Sequence, residues 1–201
     1  MAPRGTAREK LLNAAIKLVR THGYAGTSLD DLCEEAGVSK GAFFHHFKSK
    51  DDLAQMAAQF WDERTGTLFA SADYHKHTDP LDRVLGYVDF RGEIMDGDIP
   101  EFTCFVGTMV QEAYRDAPEI RRACRDSIFG HADTLIDDIQ AAIDQAGLKP
   151  KDWTAESLAH YTQATLQGAY ILAKATESNE AALTSVAHLR RYIELLFAPS
   201  H

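Results

Sequence analysis

Residues 27–53, TSLDDLCEEAGVSKGAFFHHFKSKDDL, hold the densest set of side chains with a common chemistry in this chain. Thr27, Ser28 and Ser39 carry hydroxyls, and Lys48 and Lys50 carry ammonium groups. Those groups suit phosphate oxygens, as do the backbone N–H groups at helix starts. Leu29, Leu32 and Ala36 recur at helical spacing and face inward, and Phe43 and Phe47, four apart, do the same from a second helix. Ser39, Lys40, Gly41, Phe44 and His45 are left facing outward. An outward phenylalanine is unusual on a helix that meets only water. Gly41 and Ala42 are small enough for close approach to the floor of a groove. The second helix of such a pair fits the major groove of duplex DNA, with its N-terminal part against base edges.

Three short helices must position these groups. Thr6 and Glu9 have capping-box spacing at the start of the first, whose apolar face is Leu12, Ala15, Ile16 and Val19, and Gly23 ends it. Ser28 and Asp31 open the second, over about 29–35, and Gly37 closes it in a turn that needs φ > 0. Val38, apolar within that turn, plugs the space between helices. Ser39 caps the third, to about Phe47, and Ser49 with Asp52 opens a fourth over about 50–70. SADYHKHTD then reads as a loop, and Asp79-Pro80 starts the next helix. DGDIP (96–100) reads as a turn, followed by helices over about 101–114 and about 118–146, the latter ended by Gly147. Thr154 caps a helix to about Thr176, and the last runs from about Asn179 to Phe197. The expected fold is all-α with about nine helices.

Composition bounds the function. The 201 residues carry a formal net charge of −9. Residues 1–50 hold eight Lys or Arg against five Asp or Glu, a net of +3, so the rest carries −12. A basic end can face phosphate while an acidic body faces away. No apolar run has the roughly 20 residues that span a bilayer, and MAPRGTAREK has no signal-peptide core, so the expected location is the cytoplasm. Cys33, Cys104 and Cys124 are widely spaced, odd in number and form no CxxC pair, so neither a disulfide framework nor a zinc ribbon is indicated. His45 and His46, adjacent on a helix, point about 100° apart and cannot chelate together. His75 and His77 have no third ligand near in sequence, so no metal is expected. GxSxG, HExxH, phosphate-loop and GxGxxG patterns are absent, and an enzyme is not expected.

The 27–53 string resembles the signature of the TetR family of bacterial transcriptional regulators. The matching positions are Thr27, Leu29, Leu32, Ala36-Gly37-Val38-Ser39, Gly41, Phe43-Phe44, His46-Phe47, Ser49-Lys50 and Leu53, within a match over roughly 6–55. The resemblance implies a DNA-contact set of Thr27, Ser28, Ser39, Lys40, Gly41, Ala42, Phe44, His45, His46, Lys48 and Lys50. Two positions depart from the pattern. Cys33 stands where Ala is common, a near-neutral packing change. Phe44 stands where Tyr is common, and the missing hydroxyl removes one phosphate contact worth about 1 kcal/mol.

The same resemblance implies a helix-turn-helix domain over 1–50 and a helical ligand-binding and dimerisation domain over 51–201. Pocket candidates there are the aromatic and apolar Phe60, Tyr87, Phe90, Phe105, Met109 and Tyr170 and the polar Arg91, Gln163 and Gln167. No cofactor is expected, only an unidentified small-molecule effector. Leu158, Tyr161, Thr165, Leu166, Ala169 and Leu172 form one apolar stripe, Leu189, Ile193, Leu196 and Phe197 another, and Gly168 permits close helix approach. By the resemblance, these last two helices pair with their mates in a homodimer that reads a palindromic operator. Effector binding then changes the spacing of the recognition helices through residues 50–70 and 118–146, and repression is relieved. Two alternatives stay open: regulation by a protein partner, which a closed C-terminal core would favour, and an enzyme with a vestigial N-terminal domain, which a cleft of convergent titratable groups would favour.

Overall fold

Each cap expected from the sequence starts a helix. In the computed structural model, which describes residues 5–198, Thr6 and Glu9 close a capping box ahead of α1 (Ala7–His22). The Glu9 N–H donates to Thr6 Oγ1 at 3.3 Å and the Thr6 N–H to Glu9 Oε2 at 2.8 Å. Ser28 and Asp31 form the same box for α2 (Leu29–Ala36), and Ser39 caps α3 (Lys40–His46). Ser49 Oγ accepts the Asp52 N–H at the start of α4 (Lys50–Ala70). Asp79 and Pro80 open α5 (Pro80–Glu93). Then come α6 (Ile99–Phe102), α7 (Phe105–Ala113), α8 (Pro118–Asp133) and α9 (Ile136–Gln145). Thr154 caps α10 (Ala155–Thr176), and α11 (Glu180–Phe197) is the last.

The described residues therefore hold eleven α-helices and no strand, an all-α fold with two more helices than expected. Both additions are breaks inside segments that read as continuous. The helix expected over 101–114 is split at Thr103 and Cys104, and its first part, α6, begins inside the DGDIP turn. Thr103 is buried, and Cys104 Sγ accepts the Gly107 N–H at 3.3 Å, making it the cap of α7. The helix expected over 118–146 is split at Thr134 and Leu135. There the Thr134 hydroxyl donates back to the His131 carbonyl at 2.7 Å, and the Leu135 N–H bonds three residues back to Ala132 at 3.0 Å. A hydroxyl that bonds its own preceding turn competes with the helical ladder. The stretch expected as loop after α4 contains a single 3-10 turn, Asp73–Lys76, pinned by the buried Tyr74.

The chain divides into two compact units, Met1–Gly66 with Thr103–Ile128, and Thr67–Phe102 with Phe129–His201. This division differs from a boundary at residue 50. In the first unit α1 packs on α2, α3 and α7 around a core that includes Leu11, Leu12, Leu32, Phe43, Phe47 and Leu53. In the second unit α5 packs on α9 and α11, and α10 on α9 and α11. Among the described residues no helix is long and apolar enough to cross a membrane.

Gly37 sets the angle between α2 and α3. Its φ of 63° and ψ of 40° are left-handed, and the Val38 N–H reaches back to Cys33 O at 3.0 Å. A Cβ at Gly37 would meet nothing within 4 Å, so a side chain is opposed there by the backbone alone. Gly37→Ala is expected to destabilise the protein by about 1–2 kcal/mol, the cost of holding an L-residue left-handed. Urea unfolding of the full chain measures it; an unchanged midpoint overturns the expectation.

Candidate nucleic-acid interface and effector residues

Two buried rings hold α3 in place. Phe43 is 0% exposed and Phe47 is buried with it, their centroids 5.7 Å apart. Val38 is part-buried against the same core, as its place in the turn led one to expect. The opposite face of α3 is open. Phe44 is 58% exposed and meets Phe43 edge-on at 5.2 Å. Lys40, Gly41 and His45 are exposed beside it, while Ala42 and His46 are half-buried.

Charge and hydrogen bonding on this face are partly committed. Lys40 Nζ lies 2.5 Å from Asp30 Oδ1, both exposed, and the pairing holds the lysine pKa above its usual value. Exposed pairs of this kind contribute little stability and exchange readily with another anion. Ser28 Oγ and Ser39 Oγ accept the N–H groups of Asp31 and Ala42 as caps, at 3.1 and 3.2 Å. The Ser39 hydroxyl proton is not spent in its cap bond, so it can donate outward, whereas the Ser28 hydroxyl also serves the Asp31 carboxylate. The hydrogen bonds from Ser28 also hold the Asp31 carboxyl below its usual range. Lys48 is exposed, and its N–H donates to Asp52 Oδ2 at 2.8 Å.

Thr27 and Lys50 are placed differently from a phosphate contact. Thr27 is 2% exposed, and its hydroxyl donates to Gly23 O at 2.7 Å. Lys50 Nζ donates to the carbonyls of Tyr24 and Thr27 at 3.0 Å each and lies 4.2 Å from the centre of the Tyr24 ring. Tyr24 Oη in turn donates to Asp51 Oδ1, and burial with that carboxylate raises the tyrosine pKa. These residues brace the corner between α1 and α4 from within.

The pocket candidates fall into two sets. Phe60, Phe105 and Met109 belong to the first unit, where Phe105 and Met109 are fully buried and Phe60 packs on that core. Tyr87, Phe90, Arg91, Gln163, Gln167 and Tyr170 belong to the second unit. Of these, Tyr87, Arg91, Gln163 and Tyr170 are joined by hydrogen bonds. Gln167 is half-buried and outside that network's bonds. His131, which sequence alone did not single out, is part of it. Tyr87 Oη is 2.9 Å and Arg91 Nη1 3.3 Å from His131 Nε2. A guanidinium only donates, so Nε2 is the acceptor and the proton sits on Nδ1. Burial, and secondly the Arg91 charge, lower the His131 pKa to about 3, so the ring is neutral. His75, read as a poor metal ligand, donates from Nε2 to Phe69 O at 3.1 Å.

The stripes expected to pair two copies need correction. Leu158, Leu166, Ala169, Leu189 and Ile193 are buried within their own unit and cannot also meet a partner. The exposed apolar groups of α10 and α11 are Tyr161, Leu172, Tyr192 and Leu195 among others, with the Tyr161 and Tyr192 rings tilted against each other at 5.1 Å. Thr165 and Gly168 lie between Tyr161 and Leu172 on the same open side of α10.

Two family models match. Residues 11–57 match the bacterial regulatory proteins of the tetR family, and residues 75–188, more than half of the chain, match the C-terminal domain of LmrA/YxaF-like transcriptional regulators. The chain belongs to the TetR family. It is 30% identical over 131 residues to the HTH-type transcriptional regulator LmrA of Bacillus subtilis, a match that covers 61% of this chain and 65% of LmrA. It thus spans less than two thirds of that relative's length. A TetR transcriptional regulator from Chloroflexus aurantiacus is 27% identical, with a TM-score of 0.78 and 93% of each chain covered. A TetR-family regulator from Agrobacterium tumefaciens has the same fold, with a TM-score of 0.80 at 21% identity and 92% and 96% of the two chains covered.

Proposed function

We propose that this TetR-family chain is a dimeric, sequence-specific DNA-binding regulator of the cytoplasm, a repressor that a small-molecule effector releases from its operator. The observation that carries the DNA reading is the open face of α3. A short helix fixed by two buried phenylalanines presents Lys40, Phe44 and His45 around the small Gly41. Lysine and histidine offer hydrogen bonds to base edges, and an exposed phenylalanine offers apolar contact. Ser28, Ser39 and Lys48 flank the face as phosphate contacts, with Ala42 and His46 at its edge. The +3 charge of residues 1–50 against −12 for the rest supports the same orientation on a polyanion. Both matched family models describe transcriptional regulators, which weighs against the enzyme reading.

In this reading the first unit binds DNA and the second holds the effector and the dimer contact. The second copy pairs through the exposed Tyr161, Leu172, Tyr192 and Leu195 of α10 and α11, and a two-fold dimer reads a palindromic site with one α3 per half-site. Effector release requires the two conformations to differ in effector affinity by about 1–3 kcal/mol or more.

Selection of bound sequences from a random duplex library at fixed salt tests this reading. Wild type is expected to enrich a palindrome. Lys40→Ala combined with His45→Ala is expected to keep salt-sensitive, unspecific binding and to lose the enrichment, about 1–3 kcal/mol of base discrimination for each contact removed. Failure of wild type to enrich any motif at any salt overturns the DNA reading.

A further inference from the structure

Among the described residues of α1, α2 and α3, Phe44 alone is a large apolar side chain left in the open. Its ring is 58% exposed and meets Phe43 edge-on, with centroids 5.2 Å apart and planes at 80°. Phe43 is fully buried, so this contact braces the exposed ring against the packed core. A helical side chain leans back over the preceding turn. For Phe44 that turn holds Lys40 and Gly41, and a Cβ at Gly41 would have Ser39 Oγ, at 3.7 Å, as its nearest neighbour. One flank of the ring is therefore bare backbone, open to an incoming apolar group.

We propose that Phe44 is a base-specificity residue, which reads the methyl group of a thymine in each half of the operator. The inference rests on the DNA reading above and names the base that this part of α3 selects. A phenylalanine ring has no donor, and its face is electron-rich, so a phosphate gains nothing beside it. On the major-groove edges, guanine, cytosine and adenine offer donors and acceptors, and thymine alone adds an apolar group, its methyl. Contact between the two removes ring and methyl from water together. The ring has few rotatable bonds and is already braced by Phe43, so it loses little conformational freedom on docking. Lys40 and His45, exposed beside it, carry the polar contacts to neighbouring bases.

The test starts from the operator that wild type enriches. Each thymine in turn is replaced by deoxyuridine at symmetric positions of both half-sites. That exchange removes the methyl and leaves every hydrogen-bonding group in place. Binding of the full chain is followed by fluorescence anisotropy at fixed salt. At one symmetric position wild type is expected to lose about fifteenfold in affinity, from about fourfold for each methyl no longer buried. Phe44→Ala is expected to bind the thymine and uracil duplexes within about twofold of each other at that position. Phe44→Leu, which keeps an apolar group, is expected to retain part of the discrimination. A ring that only packs on the sugar-phosphate backbone would lower the affinity of Phe44→Ala without changing which positions respond to the exchange. An enriched operator without thymine, one at which no exchange weakens wild type, or a loss that persists undiminished in Phe44→Ala overturns the assignment and leaves the DNA reading standing. Failure of wild type to enrich any motif overturns both.

Discussion

Phe43→Ala is expected to destabilise the first unit by about 3–5 kcal/mol, the usual cost of emptying a buried phenylalanine site. Phe43 is 0% exposed and touches two aromatic neighbours, Phe44 on α3 at 5.2 Å and Phe47 just after it at 5.7 Å. It is also the buried side chain of a seven-residue helix, which is too short to hold together by propensity. Docking on the core is what keeps α3 helical, so the cavity left by alanine falls where nothing local can compensate. Against a total domain stability of about 5–15 kcal/mol, the loss is a large fraction. DNA binding is therefore expected to fall with folding, and to return at temperatures where the variant is still native. Phe44→Ala is the paired control. Its ring is 58% exposed, so stability should change by no more than about 0.5 kcal/mol, as at other surface positions. Any loss of DNA affinity in that variant reports contact rather than folding. Urea unfolding followed by circular dichroism measures both. Equal stability of the two variants would mean that α3 is not held by its buried face.

Which features were legible from the sequence follows from the range of the interactions that decide them. Thr6, Ser28, Ser39, Asp79 and Thr154 cap helices through bonds that span two or three residues, so spacing alone locates them. The inward Phe43 and Phe47 follow from helical period in the same way. The breaks at Thr103-Cys104 and Thr134-Leu135 carry no Gly or Pro, and burial decides the first, so period does not reveal them. Thr27 and Lys50 have the right chemical types for phosphate. The turn after α1 instead offers them the carbonyls of Gly23, Tyr24 and Thr27, and those capture both polar groups. A helix with two apolar faces defeats period in another way. Spacing identifies Leu158, Leu166 and Tyr161 alike as stripe residues, but only contact with other helices decides which face is already covered. Tyr87 and Arg91, four apart, could be grouped on one face of α5. His131 lies 40 residues further along, and no local pattern joins it to them.

That unforeseen histidine gives the largest expected pH effect. An unfolded histidine titrates near 6.5. In the folded protein burial, reinforced by the Arg91 charge, lowers the His131 value to about 3. The unfolded chain therefore binds this proton more readily than the native one at every pH between those values. Stability from His131 is held in full above pH 6.5 and is lost progressively as pH falls toward 3. The slope approaches about 1.4 kcal/mol per pH unit, and the whole window sets a ceiling of about 5 kcal/mol. His131 as a residue is only part-buried, which places the realised loss below that ceiling. The groups facing the ring reinforce the direction. Arg91 and Tyr87 approach Nε2 from α5, and the Phe69 ring lies 4.4 Å away on α4, so a second positive charge would meet a guanidinium and an apolar wall. His131→Gln supplies an amide oxygen that accepts from Arg91 and Tyr87 but does not titrate. At pH 7.5 the variant is expected to be somewhat less stable than wild type, because its fit is poorer. Between pH 6 and 4 its stability should fall less steeply by up to one proton, so that the two curves converge or cross. Urea unfolding of both proteins at matched pH values isolates the difference, since every carboxylate and every other histidine is common to the pair. Parallel curves across that range would mean that the native protein accommodates a charged His131. The neutral, Nδ1-protonated ring bonded to Arg91 would then be the wrong description of the cluster.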